Sequence, residues 1–536
     1  MLALVAGLVY ANSLAGAFTF DDVGVIERNT PLHDIGNFPK LLVSPYWPGL
    51  PRDEALYRPV ATASFAIDWW VWRGNPMGFH VVSVLAHVAV TVLVFLLLLR
   101  LGAPVAGAAV GGAIFGVHPV HTEAVASIVG RSEVLAGGFI LLACLLFLRR
   151  DRRPAIRLGG IAACYALALG SKESAVMLPG LLVLIGWLHP AHGAPLLAVL
   201  RREWKLLAVM CAVLAAYVVL RIAVLGALVG VLPPVFMRDA STADRIATAI
   251  RVWPEYLRLL VFPRTLSADY APGILMPTNW VDARVWLALP LGVLAVGLAV
   301  VGRRRSPWGA LALLWFAVAI LPVSNLLLPA STLLAERTLY VPSIAVTLAI
   351  PALLPWFRTL RLPQQRALLG VATAAVMLGA VRTWMRNPAW ASTRAVHEVL
   401  AREHPESYRA MWFTADMEIQ RGNADRGLTI YRDAFTLMPT DQQLGSTYAF
   451  ELLRFGHAAE AERVVRRVFN PGFLANHVVL IQSLIALGRY DAAQSEIGVA
   501  ERYIPGNASI EKLRQVLAKT QTATPGVAVN VPEQES

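Results

Sequence analysis

Long apolar runs are the feature that most restricts the fold of this 536-residue chain. Several runs of about 18 to 25 residues match the ~30 Å hydrocarbon core of a bilayer at 1.5 Å per helical residue. Charged residues make up only 15% of the chain and the mean hydropathy is +0.57, whereas a soluble domain is about a quarter charged. The sequence therefore predicts an all-α fold whose larger part is a polytopic helical membrane bundle.

The apolar runs predict about eleven membrane helices within residues 1–385. Their predicted spans are 2–18, 79–99, 105–115, 134–148, 158–169, 175–188, 206–228, 285–301, 308–321, 344–356 and 367–381. Arginine-rich clusters fall in short loops at 149–157, 201–205, 303–305 and 358–366. With these loops on the cytoplasmic side, as the positive-inside rule expects, the amino terminus is cytoplasmic and the chain after Arg386 is external.

This topology places three polar intervals outside, at 19–78, 232–282 and 325–343. The second interval holds an amphipathic segment, 243–261, which we expect to lie at the interface and to be interrupted at Pro254, because its charges are costly inside lipid. The formal charge of +12 is explained by the cytoplasmic loops, so no nucleic-acid partner is expected.

The composition changes near His404, where charged residues become frequent. Gly422, Gly456 and Gly488 recur at a spacing of 34 and then 32 residues, with a small residue five positions after each glycine. This period resembles that of tetratricopeptide repeats, in which helical hairpins stack into an α-solenoid with a concave groove. We therefore expect about three repeats in an external domain over 386–520, followed by a disordered tail over 521–536.

Polar clusters stand at the predicted external ends of the membrane helices. Asp21 and Asp22 follow the first span, and two adjacent, partly desolvated carboxylates favour a raised pKa on one of them. A carboxylate of this kind can act as a general base on a hydroxyl. The alternative is a solvated acidic cap on a helix end.

A second cluster contains His118, His121 and Glu123. Its composition is that of a metal site, but Pro119 breaks the common helical face and the spacing implies no further ligand, so we expect no metal. Four cations on the same predicted face can bind a phosphate if they converge in the fold; they are Arg58, Arg131, Lys172 and Arg337. The alternative is that each cation only satisfies a neighbouring carboxylate, such as Glu173 or Glu336.

The ordered set of motifs resembles the transmembrane and tetratricopeptide repeat-containing O-mannosyltransferases. The motifs are Phe20-Asp21-Asp22-Val23, Tyr57-Arg58-Pro59, Gly78-Phe79-His80, His118-Pro119-Val120-His121-Thr122-Glu123, Gly130-Arg131, Ser171-Lys172-Glu173, Leu266-Ser267-Ala268-Asp269-Tyr270 and Glu336-Arg337 with Tyr340-Val341-Pro342-Ser343. The family belongs to the integral-membrane glycosyltransferases of the C type. The chain departs from many relatives in having fewer repeats. Its alanine-rich composition, with arginine favoured over lysine, suggests a bacterial inner-membrane member with its repeats in the periplasm.

The resemblance implies an inverting transfer of mannose or another hexose from a polyprenyl-phosphate donor to a hydroxyl, with Ser or Thr of a protein as the expected acceptor. By the flanking residues, Asp21 is the implied base and Asp22 the second acid. Arg58, Arg131, Lys172 and Arg337 would bind the donor phosphate. The sugar or acceptor pocket would use the remaining motif residues: His118, His121, Glu123, Glu173, Asp269, Glu336 and Tyr340.

No cofactor is expected, because the donor is itself the activated substrate and no Gly-rich nucleotide fingerprint follows a strand. The repeats are expected to hold a protein acceptor or partner, and the bilayer surrounds the remainder. Two other functions stay open at this point. One is a membrane-anchored tetratricopeptide scaffold without catalysis; the other is a transporter or polymerase of lipid-linked glycans, for which charges nearer mid-span would be expected.

Overall fold

A computed structural model describes residues 1–48, 55–149, 154–227, 235–238, 240–327, 329–330 and 332–522. Within these residues every regular element is a helix, which confirms the predicted all-α fold. The chain divides into two compact units. The first comprises Met1–Tyr270 with Pro277–Glu403, and the second comprises Ala271–Met276 with the chain from His404 onward. The predicted terminal tail lies outside the described residues from position 523.

The first unit contains long apolar helices joined by short helices and turns. Its α-helices are α1 (Leu2–Val9), α2 (Phe38–Leu41), α3 (Pro59–Trp72), α4 (Pro76–Arg100), α5 (Val105–Gly116), α6 (Thr122–Ala126), α7 (Arg131–Leu148), α8 (Pro154–Ser171), α9 (Leu178–Leu188), α10 (Leu196–Arg202), α11 (Trp204–Leu225), α12 (Thr242–Val261), α13 (Ala283–Gly302), α14 (Pro307–Ile320), α15 (Ile344–Ala349), α16 (Leu354–Thr359), α17 (Leu362–Arg386) and α18 (Thr393–Glu403).

Seven helical segments within the described residues are long and apolar enough to cross a membrane. They are Pro76–Arg100, Arg131–Leu148, Pro154–Ser171, Trp204–Leu225, Ala283–Gly302, Glu336–Thr359 and Leu362–Trp390. Such helices satisfy their own backbone hydrogen bonds, which lipid requires. The chain is therefore a multi-pass membrane protein. Four predicted spans correspond to shorter apolar helices, at Leu2–Ala15, Val105–Gly116, Glu173–Leu188 and Pro307–Val323.

Several helices extend beyond the apolar runs that predicted them. The run 79–99 lies within α4, which begins with Pro76 in its first turn and ends at Arg100. Proline suits this position because its missing N–H would have no helical partner there.

The predicted interruption at Pro254 is wrong, since α12 continues through it from Thr242 to Val261. A proline inside a helix removes one backbone hydrogen bond, and α12 tolerates this loss.

The core of the first unit is apolar and is formed largely by α4, α7, α9 and α14. Trp315 is fully buried in it and donates its indole N–H to the carbonyl of Val341 at 3.1 Å. A separate apolar cluster, which includes Ile26, Phe65 and Phe79, packs near the helix ends that carry Asp22 and Arg131. Apolar packing therefore supports the polar ends of these helices.

The second unit consists of successive helices that pack against their sequence neighbours. They are α19 (Tyr408–Gln420), α20 (Ala424–Leu437), α21 (Gln442–Arg454), α22 (Ala458–Arg467), α23 (Leu474–Ala486), α24 (Tyr490–Tyr503) and α25 (Ala508–Thr522). Gly422, Gly456 and Gly488 lie in the turns within three helix pairs, at φ of +87°, +86° and +73°. Glycine reaches this left-handed region without the penalty of a Cβ atom, which explains its recurrence there.

Candidate active site

The candidate site lies at helix ends of the first unit, where turns rather than long helices present the polar side chains. Three 3₁₀ turns contribute, at Pro119–His121, Glu173–Met177 and Glu336–Leu339. Asp21 follows the first apolar segment and Arg58 directly precedes α3. The predicted motifs therefore occur where helices start or stop, and in such places side chains are not confined to one helical face.

Arg337 lies between two carboxylates. Its Nη1 is 3.1 Å from Oε1 of Glu123 and 3.5 Å from Oδ2 of Asp21, and its backbone N–H donates to Oε2 of Glu123 at 2.8 Å. Glu123 is buried, whereas the side chains of Asp21 and Arg337 are 27% and 24% exposed. The Nε and Nη2 groups of Arg337 donate to no described residue. An accessible carboxylate thus stands beside a guanidinium with unused donors.

Two further ion pairs adjoin this arrangement. Nζ of Lys172 is 2.5 Å from Oε1 of Glu133. Arg58 pairs in bidentate fashion with Glu173, with Nη2 to Oε1 at 2.7 Å and Nε to Oε2 at 2.9 Å. Its guanidinium also lies 5.1 Å from the centre of the Tyr46 ring. Paired geometry of this kind fixes the direction of each cation.

The three cations Arg58, Lys172 and Arg337 form one electrostatic network. Burial holds the pKa of Lys172 below its usual range, and the positive charges of Arg58 and Arg337 act in the same direction against the pull of Glu133. Burial also raises the pKa of the Glu123 carboxyl, although Arg337 opposes that change. The cations repel one another, and each is offset by a carboxylate in contact with it.

Asp22 has a different environment from its neighbour Asp21. It is fully buried, and its carboxylate accepts hydrogen bonds from the backbone N–H of Val129 at 2.8 Å and of Thr19 at 3.0 Å. Burial raises the pKa of Asp22 to about 7, even though these backbone donors favour the ionised form. The raised pKa expected for one acid of the pair thus belongs to Asp22, and the contacts of Asp22 tie the loop to the segment before α7.

Arg131 is more deeply buried than Arg58, Lys172 and Arg337. Its Nη1 is 2.5 Å from Oδ2 of Asp68, its Nε donates to the Ser83 hydroxyl at 3.0 Å, and its Nη2 donates to the Phe79 carbonyl at 2.6 Å. The side chain is fully buried. We predicted a phosphate-binding role for Arg131, but the structure engages its donors internally, because a buried guanidinium requires partners for its N–H groups.

The two motif histidines are buried and hydrogen bonded within the protein. Nε2 of His118 lies 3.0 Å from the Leu260 carbonyl, and its Nδ1 accepts from the backbone N–H of Val120 at 3.3 Å. Nε2 of His121 lies 2.8 Å from the Ser343 hydroxyl. Burial lowers the pKa of both rings, which favours their neutral forms. These rings connect segments of the bundle, and their role in a sugar or acceptor pocket stays a prediction.

Tyr340 and Glu336 also make internal contacts. The Tyr340 hydroxyl lies 2.8 Å from Nδ1 of His87. Oε1 of the buried Glu336 accepts from the Tyr270 hydroxyl at 2.9 Å and from the backbone N–H of Ser267 at 2.6 Å. Glu336 therefore anchors the 266–270 loop and makes no ion pair with the neighbouring Arg337 among the described residues.

Asp269 lies in that same anchored loop and is partly buried. Its backbone N–H donates to the Ser267 hydroxyl at 3.3 Å and its carbonyl accepts from that hydroxyl at 2.5 Å. These contacts shape a tight local turn. They place the predicted pocket residue next to Ser267, whose backbone N–H donates to Glu336.

The sequence analysis assigned no role to three polar residues that are partners of motif residues. Glu133 neutralises Lys172, Asp68 neutralises Arg131, and His87 bonds Tyr340. Asp68 interrupts the apolar sequence of α3 and His87 interrupts that of α4. Because ionisable residues are rare inside apolar helices and are usually paired there, this interruption is a signal that could have found Asp68 and His87.

The arrangement can accept a proton at Asp21 and hold an anion at Arg337 with its neighbouring cations. Within the described part of the chain, His, Cys, Asp and Glu side chains form no group of three or more that could hold a metal ion. The chemistry that the site itself offers is therefore a carboxylate beside a set of cations.

Comparison with known proteins finds relatives of the kind that the motifs resemble. Protein O-mannosyl-transferase TMTC3 of Mus musculus is 25% identical over 516 residues, which cover 88% of this chain and 54% of that protein. TMTC3 of Homo sapiens is 26% identical over 495 residues, covering 83% and 53%. The chain is similar to protein O-mannosyl-transferases. Tmtc2 of Drosophila melanogaster adds 32% identity over 183 residues, covering 32% of this chain and 19% of that protein.

These relatives support the family resemblance carried by the motifs. No family model matches the chain. The chain spans about half the length of the TMTC3 proteins that it matches. The similarity to the TMTC3 proteins covers most of this chain and only part of each of those relatives.

Proposed function

We propose that this protein is an integral-membrane glycosyltransferase that moves mannose or another hexose from a polyprenyl-phosphate donor to a protein hydroxyl. The observation that carries the proposal is the pair formed by Asp21 and Arg337, which lie 3.5 Å apart and are both partly exposed. The names of the TMTC relatives support a sugar transferred to protein. The acceptor is a Ser or Thr side chain, and the transfer inverts the anomeric centre.

In this mechanism Asp21 accepts the proton of the acceptor hydroxyl while the oxygen of that hydroxyl attacks the anomeric carbon of the sugar. The bond from that carbon to the donor phosphate breaks, and the polyprenyl phosphate leaves as an anion. An in-line displacement needs the base and the phosphate on opposite sides of the sugar. We therefore place the phosphate toward Arg58 and Lys172, with Arg337 lying between Asp21 and the phosphate and donating to the phosphate. Fixed cations stabilise the charge that develops on the leaving group.

The remaining motif residues position this machinery. Asp22 holds the loop of the base, Glu123 orients Arg337, and Glu173 orients Arg58 through its bidentate pair. Arg131 supports the bundle beneath the site. We propose no metal and no cofactor, because the leaving phosphate activates the donor and the cations balance its charge.

We further propose eleven membrane passages, given by the seven long helices together with the four shorter apolar helices of the first unit in the described chain. The arginine-rich loops face the cytoplasm and the site faces the opposite side, in a bacterial inner membrane. The second unit is a tetratricopeptide solenoid in the periplasm that binds the protein acceptor or a partner. This assignment is supported by buried small and large residues at matching positions of the three helix pairs: Gly427, Ala461, Ala493, Tyr431, Val465 and Ile497.

The direct test uses membranes that contain the full chain, radiolabelled polyprenyl-phosphate mannose and a Ser/Thr-rich acceptor peptide. Asp21→Asn keeps the shape of the side chain but removes its basicity, so we expect transfer to fall by about 10²–10⁴-fold. Glu27→Gln is the matched control, because Glu27 is an exposed acid in the same segment. It should retain normal transfer.

Other results would identify other functions. Equal transfer by Asp21→Asn and the unsubstituted protein would remove Asp21 from the base role. Partner binding by the second unit with no turnover of any polyprenyl-phosphate sugar would support a scaffold. Movement of the intact lipid-linked sugar across vesicle membranes without a glycosylated product would support a transporter.

A further inference from the structure

A second charged region lies at the far ends of the helices that carry the candidate site. There α4, α7 and α9 end while α8 and α11 begin, and a cavity of about 880 Å³ opens between them. Its lining contains four cations: Arg100, Arg157, Arg202 and Lys205. Neither the proposed mechanism nor the motifs of the sequence use this cavity.

Among the residues that the structure describes, carboxylates neutralise the cations of this cavity only in part. Glu203 is the one carboxylate in the described lining, and it pairs with Arg157 at 2.8 Å and with Arg202 at 2.9 Å. Arg100 and Lys205 have no carboxylate partner among the residues that the structure describes, and both are exposed. Cations gathered without enough counter-charge favour the binding of an anion.

The walls of the cavity are apolar. Phe147, Leu158, Ile185 and Leu206 line it together with the cations, and the guanidinium of Arg157 lies 5.4 Å from the centre of the Phe147 ring. A free inorganic anion would make no use of such walls. An amphiphile with an anionic head and apolar chains would contact both parts of the lining.

The position of the cavity fits a lipid of the opposite membrane face. Helix α7 begins at Arg131, near the candidate site, and ends at Leu148 in the cavity lining. Its 18 residues span about 27 Å at 1.5 Å per residue, close to the ~30 Å thickness of the hydrocarbon core. The cavity therefore lies at the depth where phospholipid head groups of that face are found.

We infer that this cavity binds the phosphate group of an anionic phospholipid, with the phosphate against Arg100 and Lys205 and the acyl chains along the apolar wall. Basic pockets between membrane helices bind anionic head groups in this way. The inference is independent of the proposed transfer reaction, because none of the lining residues belongs to the candidate site.

The experiment uses the full purified chain in a neutral detergent and measures its thermal unfolding midpoint as short-chain phosphatidylglycerol is added. Short-chain phosphatidylcholine controls for the apolar part, and inorganic phosphate controls for the anion alone. Arg100→Gln combined with Lys205→Gln removes the two unpaired cations. Arg304→Gln combined with Arg305→Gln is the matched control, since it removes two exposed arginines outside the cavity lining.

We expect saturable stabilisation by phosphatidylglycerol, with its dissociation constant raised about tenfold or more by the first double variant. The control variant should change it less than about twofold. Arg100→Lys keeps the charge and should bind nearly normally, and equal midpoints without lipid would show that each variant is folded. Stabilisation by inorganic phosphate that depends on Arg100 and Lys205 would support the phosphate site while assigning it to a free anion. Equal weakening by both double variants, or equal stabilisation by phosphatidylcholine, would overturn the inference.

Discussion

The two ends of the same helix bundle handle charge in different ways. At the end that holds Asp21, the cations are largely buried and each faces a carboxylate, as in the pair of Lys172 and Glu133. At the other end, Arg100 and Lys205 are exposed, and the described lining of the cavity has more cations than carboxylates. A buried charge is costly without a partner, whereas an exposed charge is solvated by water. Substitutions should therefore have large effects at the first end and small effects at the second.

The sharpest test of this difference is the loss of one cation from the candidate site. Arg337→Gln removes the charge beside Asp21 and should lower transfer by about 10²–10³-fold, since it deprives the leaving phosphate of a fixed positive charge. Initial rates at varied donor concentration would locate the loss in kcat. Arg304→Gln, an exposed arginine elsewhere in the chain, is the control. Equal rates for Arg337→Gln and the control would contradict the role of Arg337.

Arg131 tests whether a buried cation at the same end serves stability instead. Arg131→Met leaves Asp68 buried without its partner, so the free energy of unfolding should fall by about 3–5 kcal/mol. The measurement is denaturant or thermal unfolding in detergent. Adding Asp68→Leu removes the uncompensated carboxylate and should restore much of the loss. A stable Arg131→Met protein that loses only transfer would instead assign Arg131 to the reaction.

Asp22 gives a pH-dependent test of burial at this end. Because its pKa is about 7 in the folded protein and near 4 when exposed, the folded state holds the proton more tightly. Its contribution to the free energy of unfolding is thus fully present below about pH 4 and is lost as the pH rises toward 7. The unfolding midpoint should fall more steeply between pH 5 and about pH 7 for the natural protein than for Asp22→Asn. Parallel pH profiles would show that Asp22 does not titrate in this window.

The smallest effect is expected at the opposite end. Arg100→Gln removes an exposed cation without a carboxylate partner, so the free energy of unfolding without lipid should change by less than about 0.5 kcal/mol. The same unfolding measurement checks it against Arg131→Met. A large destabilisation by Arg100→Gln would remove the distinction between the two ends.

Much of the architecture was predictable from the sequence because it depends on local patterns. Apolar runs predicted the long helices, and the recurring glycines predicted the paired helices after residue 404, where they occupy turns with positive φ. The interruption at Pro254 was predicted wrongly, because a proline often kinks or ends a helix, whereas the neighbouring turns hold this helix together.

The site was predictable only in part. The motifs identified Asp21, Arg58, Lys172 and Arg337, which the structure brings into one network. The motifs did not predict that the guanidinium of Arg131 donates its hydrogen bonds to groups inside the protein. A short polar motif does not show whether its side chains are buried. Burial decides whether a guanidinium donates to a ligand or to groups of its own protein.

By itself, the sequence determined where the helices form and which polar residues stand at their ends. Both depend on the hydropathy and the turn-forming residues of a short stretch of chain. Only the tertiary structure decided that Arg337 reaches Asp21, which lies 316 positions earlier in the chain. It also gave the neighbours Asp21 and Asp22, which have the same side chain, different environments, since Asp22 is buried and Asp21 is partly exposed. The physical reason is that ion pairing and desolvation depend on distances set by helix packing, and no local pattern encodes those distances.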